Sequence, residues 1–106
     1  MFQDSARDVR VEDNRFLAAE LRQTDGNWRF ARVDLNEHIG NENGHFQWGG
    51  RNFSETARNV HFGFEGGAHV PVLRAELRTP AGTWEPRDVN LDERVFNNNG
   101  HFEFQY

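Results

Sequence analysis

The sequence predicts a mostly-β fold built from two tandem copies of one unit, with short helical turns between strands. Three observations carry this. "AELRQTDGNWRFARVDLNEHIGNENGHF", starting at Ala19, overlays "AELRTPAGTWEPRDVNLDERVFNNNGHF", starting at Ala75, at a constant offset of 56 residues with about half of the positions identical. Within each copy, short segments alternate apolar and polar between clusters of Gly, Asn and Asp. Each copy ends on an Asn-Gly hairpin cue, "NGHFQW" and "NGHFEF". Two copies are too few for a solenoid, so the expected form is a pseudo-two-fold unit in which each copy completes the other's core.

The elements follow in order. "FQDSARDVRV" at Phe2 matches "FSETARNVHF" at Phe53 at the shorter offset of 51. "VRVE" reads as a strand, and so does "RFLAAELR" despite its helix-favouring Ala and Leu. "TDGNW" is turn chemistry entering a third strand, which makes a meander. "DLNEHI" sets Asp34 ahead of Glu37 in capping-box spacing, the signature of a short helical turn. "NGHFQW" closes the hairpin, and "WGGRN" is the one obvious hinge. "NFSE", with Asn52 and Glu55, is a further capping box. The second copy repeats the plan with strands at "VHFGF" and "VPVLRAELR" and an extra loop at "GFEGGAH". "PAGTW" is its turn, and "NLDERV" its capping box, with Asn90 and Glu93.

Composition bounds the function. The chain of 106 residues is one compact domain's worth, and ten Phe and three Trp supply much of its core material. A net charge of −5 argues against nucleic acid as a partner, since phosphate binding needs a positive surface. All twelve basic residues are Arg, a bias without a physical account. The absence of cysteine excludes disulfide staples, thiolate zinc sites and thiol catalysis. No apolar run approaches the ~20 residues of a membrane helix, so no membrane insertion is expected. "MFQDSARDVR" shows no signal-peptide pattern, so a cytoplasmic location is the expectation.

Candidate chemistry is polar and repeated. Glu37 and Glu93 are repeat mates in capping boxes, and symmetry tends to make them alike, whereas an acid/base pair needs unlike environments. His38, His45, His61, His69 and His101 form no tight ligand cluster in the sequence, with His45 and His101 at matching, solvent-facing strand positions. No enzyme activity, metal or cofactor is expected. Trp28, Trp84 and Trp48 read as core or hinge aromatics. Spacing alone reads Asn41, Asn43, Asn97 and Asn99 as turn formers that tolerate left-handed backbone ahead of polar groups rimming a site.

"LNEHIGNENGHFQW", "RNFSETARNV" and "VNLDERVFNNNGHFEF" resemble the cyanovirin-N homologue (CVNH) family of small two-repeat mannose-binding lectins, and the resemblance covers essentially the whole chain. It implies a strand-exchanged fold, one pseudo-domain combining residues 1–37 with 94–106 and the other formed by 38–93. Each would carry a metal-independent sugar pocket in which planar amides and carboxylates engage adjacent hydroxyls. The resemblance maps the second pocket onto Asn41, Glu42, Asn43, Arg51, Asn52, Glu55, Thr56, Arg78 and Thr79. It maps the first onto Gln3, Asp4, Ser5, Arg22, Thr24, Asp25, Asn97, Asn98 and Asn99. Arg51 and Pro80 depart from the family at the second pocket, and Asp4 and Ser5 at the first. The family's disulfide positions fall on Ala6 with Leu21 and Ala57 with Leu77, which become expected core contacts. The implied partners are oligosaccharides, namely high-mannose glycans or glycoproteins ending in α1,2-linked mannose. The alternative is a β scaffold that binds a protein through the same loops. Gly49-Gly50 lets the chain fold back on itself, so a monomer is expected, with a domain-swapped dimer as its competitor.

Overall fold

The computed structural model describes residues 2–106, and all but the short 3-10 turns and loops of it is strand. The first copy forms β1 (Ala6–Glu12), β2 (Phe16–Arg22) and β3 (Trp28–Asp34), then the hairpin β4 (Ile39–Glu42) and β5 (His45–Trp48). The second forms β6 (Ala57–Glu65), β7 (Val70–Arg78) and β8 (Trp84–Asn90), then the hairpin β9 (Val95–Asn98) and β10 (His101–Phe104). Both meanders are antiparallel, ordered β1-β2-β3 and β6-β7-β8. Short 3-10 turns cover Phe2–Ser5, Leu35–Glu37, Phe53–Thr56 and Leu91–Glu93.

The apolar positions explain the packing. Leu17, Leu21, Leu73 and Leu77 point inward from the central meander strands and are fully buried, together with Phe2, Phe53, Leu35, Ile39, Leu91 and Val95. Each buried Leu stabilises by roughly 1.5–3 kcal/mol. Ala6 pairs directly with Leu21, and Ala57 with Leu77, so apolar cross-strand pairs occupy the positions that the family resemblance assigns to disulfides. The hairpin ending each copy docks on the other copy's opening turn. Phe46 meets Phe53 edge-on at 5.8 Å, and Phe102 meets Phe2 at 5.9 Å.

Both Asn-Gly turns form as the sequence indicates, with Asn43 at φ 52° and Gly44 at 85°, and Asn99 at 49° and Gly100 at 89°. Other expectations need correction. Asp34 and Asn90 do cap their turns, accepting from the N–H of Asn36 at 3.0 Å and of Asp92 at 2.9 Å. Among the described residues, however, no bond returns from Glu37 or Glu93, so these are half boxes. Asn52 does not cap with its side chain at all, because its backbone is left-handed at φ 62°, a conformation that Asn tolerates. That turn is pinned instead by buried Asn36, whose Nδ2 donates to Ser54 Oγ at 2.6 Å and whose Oδ1 accepts from the Ser54 N–H at 3.1 Å. The inserted "GFEGGAH" is not a loop throughout, since Gly63–Glu65 continue β6 and pair with β7, lengthening that hairpin. Trp28 and Trp84 are not core. Trp28 is 38% exposed beneath the Arg7 guanidinium at 4.2 Å, and Trp84 lies half-buried beneath Arg58 at 4.3 Å. Trp48 does sit at the hinge, stacked near Tyr106. Beside it, His38 lies flat on Phe104 at 3.7 Å, and burial lowers its pKa.

Candidate functional site

Two matching constructions each join a hairpin of one copy to the meander of the other, and each is numbered by the copy that supplies its meander. In the second, Asn41 projects from β4 of the first copy between the turn after Phe53 and the end of β7. Its Nδ2 donates to Thr56 Oγ1 and to the Arg78 carbonyl, both at 2.9 Å, while its Oδ1 accepts from the Gly44 N–H at 2.8 Å. In the first, Asn97 donates to Ser5 Oγ at 2.8 Å and the Arg22 carbonyl at 2.9 Å, and accepts from the Gly100 N–H at 2.9 Å. Asn41 and Asn97 therefore spend their amides on tying three segments together. Each hydroxyl they bind acts as an acceptor there; that of Ser5 donates its proton to the Phe2 carbonyl at 3.5 Å, whereas that of Thr56 has no acceptor among the described residues.

Around Asn41 the segments open into a cleft of about 350 Å³ lined by Asn41, Asn43, Thr56, Arg78, Thr79 and Pro80. The Thr79 hydroxyl lies 2.7 Å from that of Thr83, which fixes its direction. The turn is gripped from behind, where Arg87 Nε donates to the Gly44 carbonyl at 2.8 Å. Gly44 cannot be replaced cheaply, since a Cβ there would lie 2.8 Å from Thr79 Cγ2. Asn43, at the mouth, has no side-chain partner among the described residues; the residue across from it is Pro80, which has no N–H to offer. The other expected residues do not line this cleft. Glu42 is engaged by Gln47 Nε2 at 2.6 Å, and Arg51, Asn52 and Glu55 lie exposed on the approach to Thr56.

The mouth beside Asn97 is tied shut. Asn99 Oδ1 accepts from both the Thr24 N–H at 3.0 Å and the Thr24 hydroxyl at 3.2 Å. Asp25 accepts from the Asn27 N–H at 2.9 Å inside its own turn, and Asn98 is exposed on β9. Gln3 and Asp4 line a different cleft, facing Phe64, Ala68 and His69 of the lengthened hairpin. Sequence reasoning missed Arg87, Phe64 and His69. A comparison of the copies at the inserted segment, where an apolar Phe64 sits between glycines, was the available signal for the last two.

Two buried groups behind the clefts differ. Asn36 is 4% exposed and bonded at both ends of its amide; its repeat mate Asp92 is 7% exposed, with Gln3 close enough to oppose the effect of burial but no hydrogen bond of good geometry to either carboxylate oxygen among the described residues. Burial raises the Asp92 pKa, whereas a hydrogen bond from Arg15 holds that of Asp34 down. Among the described residues, no group of His, Asp and Glu is arranged to hold a metal ion, and no helix is long and apolar enough to cross a membrane.

The CVNH domain model matches residues 2–103. The cyanovirin-N homolog of Neurospora crassa is 50% identical over 99% of this chain and 98% of its own. A designed cyanovirin-N homolog lectin superposes with a TM-score of 0.93 at 48% identity, covering 98% of both chains. Microvirin, solved with mannobiose, superposes at 0.86 with 29% identity over 96% of this chain and 95% of its own.

Proposed function

The chain belongs to the CVNH domain family, and we propose that it is a lectin for mannose-rich glycans whose working site is the cleft around Thr56. The observation that carries the reading is the Asn41 clamp beside an open mouth. The clamp fixes Thr56, Arg78 and the Gly44 turn in one geometry, while Asn43 and the Thr56 proton stay unspent. Preorganised donors and acceptors of this kind discriminate hydroxyl stereochemistry without a metal, because little side-chain freedom is lost on binding. Terminal α1,2-linked mannose is the proposed ligand, in keeping with the mannobiose held by microvirin at 29% identity. Residues 38–93 would form the stronger site. Residues 1–37 with 94–106 would form a weaker one, limited by the Thr24–Asn99 tie. Glycoproteins with branched high-mannose chains would be the natural partners, since linked sites gain ~10²–10⁴ in avidity where geometry allows.

The test is titration with α1,2-mannobiose and with a branched oligomannose while amide resonances are followed. Shifts at Gly44, Thr56 and Thr79 are expected first. Unshifted amides with both sugars would overturn the reading in favour of a scaffold that binds protein.

A further inference from the structure

We infer that the cleft between the N-terminal turn and the tip of the β6–β7 hairpin is a separate sugar-contacting site, built for a pyranose with an apolar face. It is lined by Gln3 and Asp4 on one side and by Phe64, Ala68 and His69 on the other, and encloses about 340 Å³. The Thr56 cleft shares none of these five residues; Gln3 and Asp4, which the family resemblance assigns to the first pocket, instead face the hairpin tip here, on the other side of the N-terminal turn from the Asn97–Ser5 clamp.

The hairpin owes its reach to the insertion. β6 and β7 are nine residues each, whereas β1 and β2 are seven, so Phe64 falls beyond the end of the corresponding hairpin in the first copy. Phe64 contributes little to the core, being 43% exposed. It is nonetheless held in place, edge-to-face with Phe62 at 5.5 Å and with His69 at 6.4 Å. His69 itself is bent into left-handed backbone at φ 51° to reach that position. An aromatic ring supported at its neighbours' edges and uncovered by them is a stacking platform.

The opposite wall is hydroxyl-reading. The Asp4 side chain is exposed and makes no hydrogen bond among the described residues. An ionised carboxylate accepts from two neighbouring hydroxyls at once, and the small Ala68 leaves room beside the ring. Among the described residues no Arg lines the cleft, and its one exposed carboxylate, Asp4, disfavours an anionic ligand. A β-gluco-configured unit fits this chemistry best. Its hydroxyls are all equatorial, leaving axial C–H groups to lie on Phe64, whereas the axial hydroxyl of mannose roughens one face.

The experiment titrates the full chain with cellotriose, chitotriose and, separately, α1,2-mannobiose. Shifts at Gly66, Gly67 and Ala68 with either β-linked trimer are expected, and Phe64→Ala should weaken that binding by about tenfold. Phe64→Trp should retain it, and Asp4→Asn should weaken it less than Phe64→Ala does. Gly44 and Thr56 report the mannose cleft in the same spectra, so failure of one site is read independently of the other. An absence of hairpin-tip shifts with both trimers would overturn the proposal. Tip shifts that grow with protein concentration and no sugar would overturn it too, pointing to a second copy as the occupant.

Discussion

The Asn-Gly turns of the two copies are the same turn held from opposite sides. Behind the Asn43-Gly44 turn, Arg87 grips the Gly44 carbonyl, and in front Pro80 leaves Asn43 unbound among the described residues. Behind the Asn99-Gly100 turn, Ala31 stands at the position matching Arg87, and a cleft of about 320 Å³ opens there between β3 and β10. In front, Thr24 ties Asn99 down with two hydrogen bonds. Beyond the clamp bond that both turns share, each is thus held from one side, and the choice of side decides whether its polar tip stays open or is bound by its own chain. The clamps beneath, Asn41 and Asn97, agree to within 0.1 Å in every matching bond. Duplicated scaffolds can therefore keep their geometry while two or three rim residues set the sites apart.

The strongest way to break this comparison is to remove the hydroxyl at each clamp. Thr56→Ala should weaken mannobiose binding by up to about tenfold, the upper end of the ~0.5–1.5 kcal/mol of a typical hydrogen bond. Ser5→Ala should leave it nearly unchanged. Calorimetry on both variants decides, and normal binding by Thr56→Ala with none by Ser5→Ala would reverse the ranking of the clefts.

Exchanging the mouths sharpens it. Pro80→Thr supplies an N–H and a hydroxyl to Asn43 as Thr24 does to Asn99, and should reduce binding at the second cleft several-fold, within the ~0.5–1.5 kcal/mol of a typical hydrogen bond. Thr24→Pro should release Asn99 and bring new amide shifts at Gly100 on titration. If neither exchange alters affinity, the tie at the mouth is not what separates the copies.

The buried pair behind the clefts gives a stability test whose sign depends on pH. Asp92 has its folded pKa raised above the ordinary 3.8 by burial, so its contribution is fully present below that value and is lost as pH rises through the folded pKa. Asp92→Asn removes the cost and lets a neutral amide donate toward Gln3 Oε1, which lacks a partner among the described residues. The variant should be more stable near neutral pH by ~1–3 kcal/mol, and the gain should vanish as pH falls toward 3.8. Asp34 behaves oppositely. Its pKa is held down by Arg15, so its stabilisation is present above 3.8 and is lost as pH falls through the folded value. Thermal melts across acid pH check both signs.

Much of this was legible in the sequence because the signals were local. Asn43-Gly44 and Asn99-Gly100 demand positive φ, and only one hairpin geometry supplies it. Alternation in "RFLAAELR" outweighed its helix propensity because its apolar residues had a core face to fill. Asn52 misled because an N-cap and a left-handed Asn look alike in sequence; the partner that decides between them, Asn36, sits on another segment. Trp28 and Trp84 misled for a similar reason, since Arg7 and Arg58 reach them from the opposite outer strand, across the central strand of each meander, and nothing in the local pattern marks it. Pocket roles carried by the family resemblance placed Thr56 and Thr79 at the cleft, but could not anticipate that Thr24 closes its counterpart, a matter of which rim partner has an N–H.

The smallest effect concerns whether both clefts stay on one chain. The hinge is a packed crossing. A Cβ on Gly50 would lie 2.8 Å from the Gly40 backbone, and the Gly50 N–H donates to the Gln47 carbonyl at 3.2 Å. Gly49 takes φ +82° beside the Tyr106 ring, a conformation with no steric cost for Gly. The folded-back monomer is thus the expected species, and Gly50→Pro should shift a modest fraction to dimer. That variant changes chain stiffness, the contact with Gly40 and the Gly50 N–H bond to Gln47, which Pro cannot make, and Gly50→Ala changes only the contact. Light scattering after size exclusion at matched concentration separates them. Dimer in the Pro variant alone assigns the monomer to the hinge backbone, its flexibility and its N–H bond, whereas equal dimer in both assigns it to the Gly40–Gly50 crossing. A stable dimer in the unaltered chain would show that neither feature holds the two unlike clefts together on one molecule.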